Sequence, residues 1–231
     1  MSSENAVSFN VWAEDSSVYG PASLDTMVAW IQDERVLPET FVQVPPDLLW
    51  RQARNVEALR GKFPGDAAAV MPSVPAAVDA LRELPVFEGV SEKGLEQLAA
   101  LGSFMEVDFG SVVVRKGDPC DAVYFIIAGE LRVRLVVGLV EQSDKTLCTI
   151  GSGEFFGELG MFLQGKRTAD VLAERSSRLF CMPTAAFLLM VRQIPELGAA
   201  ILFNIGKTTA KRMSADNQRF YREVTSQYLW A

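Results

Sequence analysis

Histidine is absent from the 231-residue sequence, which removes the usual general base and the commonest metal ligand. Its absence also excludes the Ser/His and Cys/His arrangements of nucleophilic catalysis. The three cysteines, Cys120, Cys148 and Cys181, are odd in number and share no CxxC spacing, so neither a disulfide framework nor a zinc site is predicted. We therefore expect a non-enzymatic protein without metal or cofactor, whose thiols are buried and free in a reducing compartment.

Basic residues are outnumbered, with 22 Lys and Arg against 29 Asp and Glu, a formal net charge of -7. This balance argues against broad binding to DNA or to an anionic membrane, because phosphate affinity depends on clustered Lys and Arg. Long apolar runs are also missing, since no stretch reaches the ~18 residues of a membrane span and residues 1–10 do not resemble a signal peptide. The composition predicts a folded cytoplasmic protein.

A segment rich in Pro and Ala, between Gly61 and Pro75, has no amphipathic period and reads as a linker. We divide the chain there into a small domain at 1–62, a linker at 63–78 and a larger domain at 79–231. Linkers of this kind are semi-flexible, so no rigid interface between the two domains is required.

The first 62 residues predict a small α+β unit. Ser23 is placed to cap a helix whose apolar residues recur at i, i+3, i+4 and i+7, namely Leu24, Met27, Val28 and Ile31. The other predicted elements are strands at Phe9–Ala13 and Thr40–Val44, a turn at Gly20-Pro21 and a short helix at about Trp50–Leu59.

The larger domain is mainly β in pattern. Short β-type runs separated by Gly, Asp or Pro turns predict a sandwich or jelly roll. The predicted strands are Val112–Arg115, Ala122–Ile127, Leu131–Val137, Thr146–Ile150, Thr168–Ala173 and Arg178–Met182. Helices are predicted at Ala185–Gln193 and from Pro195 onward, with Pro195 at the first helical position.

The most informative segment is GEFFGELGMFLQGKRTADV, from Gly153 to Val171. Phe155-Phe156 should end a strand, Gly157 leaves the backbone open to a ligand, and Glu158 to Phe162 can form one helical turn with free N–H groups. Arg167 offers a planar guanidinium to a phosphate. Thr168 adds a hydroxyl and Ala169 a backbone N–H, while Glu158 can accept a hydrogen bond from a ribose 2′-hydroxyl. The alternative is that Glu158 and Arg167 only form a salt bridge across a hairpin.

Gly-Glu-Leu, a short helix and then Arg-Thr-Ala resemble the phosphate-binding cassette of the cyclic nucleotide-binding domain family, which includes catabolite activator proteins. The resemblance extends over residues 85–213, through LPVFEGVSEKGLEQLAAL, RKGDPCDAVYFIIAGEL and FLLMVRQIPELGAAIL. It implies a β jelly roll with flanking helices and a C-terminal lid helix, and cAMP or cGMP as ligand. The implied ligand contacts are Phe156, Gly157, Glu158, Leu159, Gly160, Arg167, Thr168 and Ala169, with Thr208, Thr209 and Arg212 as lid residues near the base.

Residues 8–60 resemble, more weakly, a bacterial GYF-like domain. The resemblance rests on Gly20-Pro21-x5-Met27-x2-Trp30, although the expected Gly-Tyr-Phe after Trp30 is replaced. It implies a peptide-binding patch formed by Trp12, Tyr19, Trp30 and Trp50, while core packing is the other use of these aromatic residues.

For the output of the protein, two functions stay open. One is a sensor of cAMP, or less favoured cGMP, that relays binding to a protein partner; the other is an adaptor with an empty barrel whose N-terminal domain binds peptides. The sequence after Pro195 offers no room for a helix-turn-helix domain, so DNA is not an expected partner. The stripe Leu197, Ile201 and Ile205 either covers the barrel or pairs two copies into a homodimer.

Overall fold

A computed structural model describes residues 7–13, 17–38, 40–45, 50–63, 74–137, 143–163 and 165–228. It is a mixed fold of β-sheets and helices, consistent with a jelly roll for the larger domain. The predicted linker falls largely outside these residues. Its last part is helical, because α2 spans Val74–Arg82 and buries Val78 and Leu81.

The N-terminal module, which we define as residues 7–63, is a four-stranded antiparallel sheet with one α-helix. Its elements are β1 (Ser8–Trp12), β2 (Val18–Ser23), α1 (Leu24–Gln32), β3 (Phe41–Gln43) and β4 (Trp50–Gln52), in the sheet order β2-β1-β3-β4. Ser23 caps α1 as predicted, because its side chain accepts a hydrogen bond from the backbone N–H of Thr26. Nothing in this arrangement identifies the module as GYF-like, which stays a prediction.

Two local predictions in this module are wrong. The short helix expected at 50–59 is the strand β4 followed by two 3-10 turns, Ala53–Asn55 and Glu57–Leu59. Trp50 and Gln52 are buried while Arg51 between them is not, a period of two that pairing with β3 imposes. Gly20-Pro21 does not end an element but lies inside the edge strand β2.

The barrel is two four-stranded antiparallel sheets, β10-β7-β12-β5 and β6-β11-β8-β9. The strands are β5 (Ser103–Val107), β6 (Val112–Val114), β7 (Ala122–Ala128), β8 (Glu130–Val137), β9 (Ser143–Gly151), β10 (Phe155–Phe156), β11 (Asp170–Ala173) and β12 (Ser177–Pro183). An apolar core that includes Ile126, Leu131 and Leu179 fills the space between the sheets.

The helices pack on one side of this barrel, against β7 and β12. They are α2, α3 (Glu92–Leu101), α5 (Thr184–Gln193) and α6 (Pro195–Tyr228), with the short α4 (Glu158–Leu163) in the cassette. Leu197, Ile201 and Ile205 are buried in the chain's own core, so this stripe covers the barrel and does not pair two copies. No helix in the described part of the chain is long and apolar enough to cross a membrane.

The two parts of the chain share one apolar core. Phe41 and Trp50 of the N-terminal module lie in the same cluster as residues of α3, α5 and α6, and Trp12 packs against it. The ring centroids of Trp12 and Trp50 are 6.0 Å apart in an edge-to-face arrangement. The module is therefore docked on the helices of the barrel, which the linker composition did not predict.

Candidate functional site

The cassette begins where β10 ends. Gly157 has φ +91°, the left-handed region that favours glycine. A Cβ atom at this position would lie 2.5 Å from Nη1 of Arg167 and 2.8 Å from the carbonyl oxygen of Ala122. The absence of a side chain here is what lets the guanidinium of Arg167 lie against the backbone.

Arg167 lies in the loop between α4 and β11, not in a strand, because β11 begins only at Asp170. Its backbone N–H donates to Asp118 O at 2.8 Å and its carbonyl accepts from Gly117 N at 2.9 Å. These two bonds fix Arg167 on the loop at 116–119. The loop therefore positions the arginine, a role that the sequence alone does not reveal.

The Arg167 side chain is only 4% exposed. Nη2 donates to Asp121 Oδ1 at 3.1 Å and to Ala122 O at 2.9 Å, and the guanidinium carbon lies 5.4 Å from the centroid of the Tyr124 ring. Within the described part of the chain, Nη1 is buried and has no hydrogen-bond partner. A buried charged donor without a partner is unfavourable, so this atom is suited to meet an anion.

Glu158, the first residue of α4, is also buried, with its side chain 8% exposed. Burial raises the pKa of this carboxyl, and the nearby Arg212 partly opposes the shift. Among the described residues, its ion pair is with Arg212 (Oε1 to Nη1, 3.7 Å), while Arg167 pairs with Asp121. Glu158 and Arg167 thus do not form the simple hairpin salt bridge that was the alternative interpretation.

Arg212 connects α6 to the cassette. Nη1 donates to Phe155 O at 2.9 Å, Nη2 donates to Glu154 Oε1 at 3.2 Å, and the guanidinium carbon lies 4.8 Å from the Phe155 ring centroid. Thr209 is on the same face and its buried Oγ1 has no partner among the described residues. Of the three predicted lid residues, Arg212 is the one that reaches the site, through the Glu158 carboxylate.

The other predicted contacts differ in exposure. Gly160 packs on Cys120, because a Cβ atom there would overlap the thiol sulfur. Ala169 is buried, Thr168 is exposed and Leu159 is 46% exposed. Their roles as ligand contacts stay predictions.

The four aromatic residues predicted as a peptide patch do not lie on one surface. Trp50 is buried between the N-terminal module and the barrel, while Trp30 packs on the module's own core and under the guanidinium of Arg35. Tyr19, at 46% exposure, lies on the edge strand β2.

The prediction that the three free thiols are buried is wrong: Cys148 is exposed on β9, and Cys120 and Cys181 are only partly buried. Burial raises the pKa of Cys181 to about 11, so this thiol is unreactive at neutral pH.

Sequence reasoning missed three groups that complete the site: Asp121, the Ala122 carbonyl and Tyr124. Each contacts the guanidinium of Arg167. Asp121 directly precedes the strand β7, where a polar residue also fits an ordinary turn, and a backbone carbonyl leaves no signal in a sequence.

Comparisons with known proteins identify the family that this part of the chain matches. Residues 105–193 match the family model of the cyclic nucleotide-binding domain. The chain is 30% identical over 139 residues to Glutaminase 1 of Bradyrhizobium diazoefficiens, covering 60% of this chain and 22% of that protein. It is 26% identical to the Cyclic AMP receptor protein of Thermus thermophilus, covering 56% of this chain and 57% of that protein.

The fold is similar to that of a solved cyclic nucleotide-binding domain from Methylobacillus flagellatus. The TM-score is 0.56 at 18% identity, covering 65% of this chain and 83% of that chain. The chain spans between about a fifth and three fifths of the length of these two curated relatives.

Proposed function

We propose that the domain containing residues 105–193 binds a 3′,5′-cyclic mononucleotide and acts as a non-enzymatic sensor. The observation that carries this proposal is the buried guanidinium of Arg167, whose Nη1 lacks a partner among the described residues and lies beside Gly157. The family match supplies the ligand class. The cyclic phosphate is a single negative charge, which a fixed and desolvated arginine fork can bind through charge-assisted hydrogen bonds.

Glu158 provides the second half of the proposed site. Its ionised carboxylate accepts a hydrogen bond from the ribose 2′-hydroxyl, which favours ribose over 2′-deoxyribose. In the structure this carboxylate faces Arg212 of α6. A bound ribose therefore changes the surroundings of Arg212, and nucleotide binding shifts the population of α6 positions by the difference in affinity between them.

We favour cAMP over cGMP as the ligand. The relative from Thermus thermophilus is named for cyclic AMP. Thr168, whose side chain is exposed beside Arg167, offers a hydroxyl that could contact either the phosphate or a guanine amino group. Competition between the two nucleotides tests the choice, and a clear preference for cGMP would contradict it.

The output we propose is a protein partner, in a reducing cytoplasm compatible with three free cysteines, and not DNA. The competing function is an adaptor with a barrel that binds no nucleotide. It is favoured by one observation, that the Glu158 carboxylate pairs with Arg212, a residue of the chain itself. Affinity for nucleotide separates the two.

A homodimer is the second partner proposal, now based on a different face of α6. Phe203, Met213 and Phe220 are 72%, 64% and 67% exposed. With Gly206, Ala210 and Asn217 they recur in alternating steps of three and four residues, the heptad spacing of a two-helix seam. A second copy of α6 would cover this face.

Isothermal titration calorimetry of the full chain with cAMP, cGMP and cyclic dinucleotides tests the proposal. We expect cAMP to bind at one site per chain. Arg175→Ala is the matched control for Arg167→Ala, because Arg175 is an arginine whose side chain is 77% exposed. Absence of binding to every nucleotide would leave the adaptor function, and equal loss in both variants would show that net charge, not the Arg167 site, governs affinity.

A further inference from the structure

Trp50 of the N-terminal module lies against the junction of the two C-terminal helices. It is 6% exposed, and it borders a small cavity with Leu101 of α3, Met190 of α5 and Ile194. Trp12 packs on its ring from the module side. The contact is therefore between the core of the barrel's helices and the last strand of the module.

The α5–α6 junction is short and tightly packed. Ile194 is the single residue between the end of α5 and the start of α6, and its N–H donates to Met190 O at 2.8 Å. Gly198 of α6 lies so close to α5 that a Cβ atom would be 2.7 Å from the Cα of Val191. Because the two helices touch backbone to side chain here, a change in the angle of α6 must move Ile194 or α5, and both face Trp50.

Further along the chain, helix α6 contacts the cassette. Arg212, 18 positions after Ile194, contacts Glu154, Phe155 and Glu158. At 1.5 Å per residue these two contacts are about 27 Å apart along a continuous helix. Helix α6 thus contacts the candidate ligand site through Arg212, and it begins directly after Ile194, which lines the cavity beside Trp50. This is a continuous physical connection of the kind that coupling between sites requires.

We propose that the docked N-terminal module is the output element of this protein, and that nucleotide binding at the cassette changes its packing through Trp50 at the α5–α6 junction. The inference rests on the proposed nucleotide binding and adds the surface that responds to it, the contact of Trp50 with the α5–α6 junction. The element that contacts the α5–α6 junction is thus the N-terminal module of the same chain. Any protein that recognises the module senses the nucleotide through this contact.

Coupling of this kind is reciprocal. If nucleotide binding changes the equilibrium of the Trp50 contact by some factor, removal of that contact must change the affinity for nucleotide by the same factor. Allosteric couplings are typically about 5- to 150-fold. We expect Trp50→Leu to change the affinity for cAMP at least about fivefold, although Trp50 does not belong to the candidate ligand site. Trp30→Leu is the matched control, because Trp30 packs on the module's own core.

The direct test uses Trp50 as its own reporter in the full chain. Replacing Trp12, Trp30 and Trp230 by Phe leaves Trp50, and replacing Trp12, Trp50 and Trp230 by Phe leaves Trp30 as the matched control. Each protein is titrated with cAMP while tryptophan emission is followed, and calorimetry is run on the same samples. We expect emission of the Trp50 protein to shift with the calorimetric Kd, while emission of the Trp30 protein stays constant.

The outcomes separate the two proposals. Calorimetric binding with unchanged Trp50 emission and unchanged affinity in Trp50→Leu would overturn the coupling and leave the nucleotide site intact. Absence of calorimetric binding in the unsubstituted chain would overturn both. Where Trp50→Leu fails to fold, Trp50→Phe retains an aromatic ring, and hydrogen exchange of residues 50–59 with and without cAMP measures the same coupling without any substitution.

Discussion

Replacing Arg167 by Ala tests the candidate site most directly. The substitution removes a guanidinium that is 4% exposed and whose Nη1 has no partner among the described residues. A hydrogen bond to a charged group contributes about 1.5–3 kcal/mol. Since about 1.4 kcal/mol corresponds to a factor of ten, the affinity for cAMP should fall roughly ten- to a hundredfold.

The effect on folding should be smaller and can be measured separately. The Asp121 side chain is 77% exposed, so its pair with Arg167 is screened by solvent and contributes less than about 1 kcal/mol. Ala122 O loses a charged donor, which costs about 1–3 kcal/mol, while removal of a buried charge offsets part of this cost. We expect the free energy of unfolding to fall by about 1–2 kcal/mol, the balance of these opposing effects.

Calorimetry with cAMP and thermal unfolding, both on the full chain, measure the two effects. Arg167→Lys keeps the charge but cannot reproduce the planar fork, so its affinity should lie between those of the unsubstituted chain and Arg167→Ala. An Arg167→Ala protein that is folded and binds cAMP within twofold of the unsubstituted chain would refute the assignment of the phosphate to Arg167.

Four further predictions follow from the same geometry. Gly157→Ala should lower both stability and cAMP affinity because its Cβ would displace Arg167. Gly110→Ala, with φ +79° and open space around it, should lose only about 1–2 kcal/mol of stability from the left-handed backbone, and thermal unfolding and calorimetry compare the two variants. Because the pKa of Glu158 is raised, the folded chain binds a proton on this carboxyl at a higher pH than the unfolded chain does. Protonation of Glu158 should therefore stabilise the fold as the pH falls through the range just above the ordinary pKa of glutamate. Affinity for cAMP, which needs the ionised carboxylate, should decrease over the same pH range. Glu158→Gln should flatten that pH dependence in calorimetric titrations, and a pH dependence that survives would place the responsible group elsewhere. Arg212→Ala should increase hydrogen exchange in α6 from about residue 209 to 219, while Arg222→Ala, an exposed position on the same helix, should leave it unchanged. Met213→Asp should lower the mass measured by light scattering, because it places a charge in the proposed seam between two copies of α6. Phe109→Asp, at an exposed apolar residue outside α6, should have no such effect.

The strands of the barrel could be predicted from the sequence because each is short, apolar and bounded by turn residues. Predicted and observed ends differ by about two residues, as for β8, expected at 131–137 and found at Glu130–Val137. The exception is β5 at Ser103–Val107, which follows α3 after a single residue, Gly102, and was not predicted as a strand. Pairing with β12 makes it a strand.

The pairing of charges at the site could not be predicted. Glu158 and Arg167 are close in sequence, and a local salt bridge was the natural alternative. Their partners, Arg212 and Asp121, are 54 and 46 positions away. Glu158 meets Arg212 only because α6 folds over the cassette, and Arg167 meets Asp121 only because the start of β7 packs against it. No local sequence pattern encodes either of these long-range pairings.

The docking of the N-terminal module was hidden for a similar reason. The segment around 61–75 lacks an amphipathic period, which predicts a linker, but its composition carries no information on the surfaces at either end. The sequence favours core packing of Trp50 over a peptide patch, and the structure places it in a core shared with the barrel's helices.

Because the barrel core and the cassette lie on the same side of α6, the residues of α6 that contact them must point in the same direction around the helix axis. Ile201 and Ile205 fix the rotation of the helix in the core, and Arg212 faces Glu158 only because it is in phase with them. Each residue turns a helix by about 100°, so one alanine inserted after Gly206 would point Arg212 away from the cassette without disturbing the core before it. An insertion of seven residues would restore the direction but displace the arginine by about 10 Å. The spacing between these residues, and not their identity alone, therefore determines whether α6 can report on the cassette.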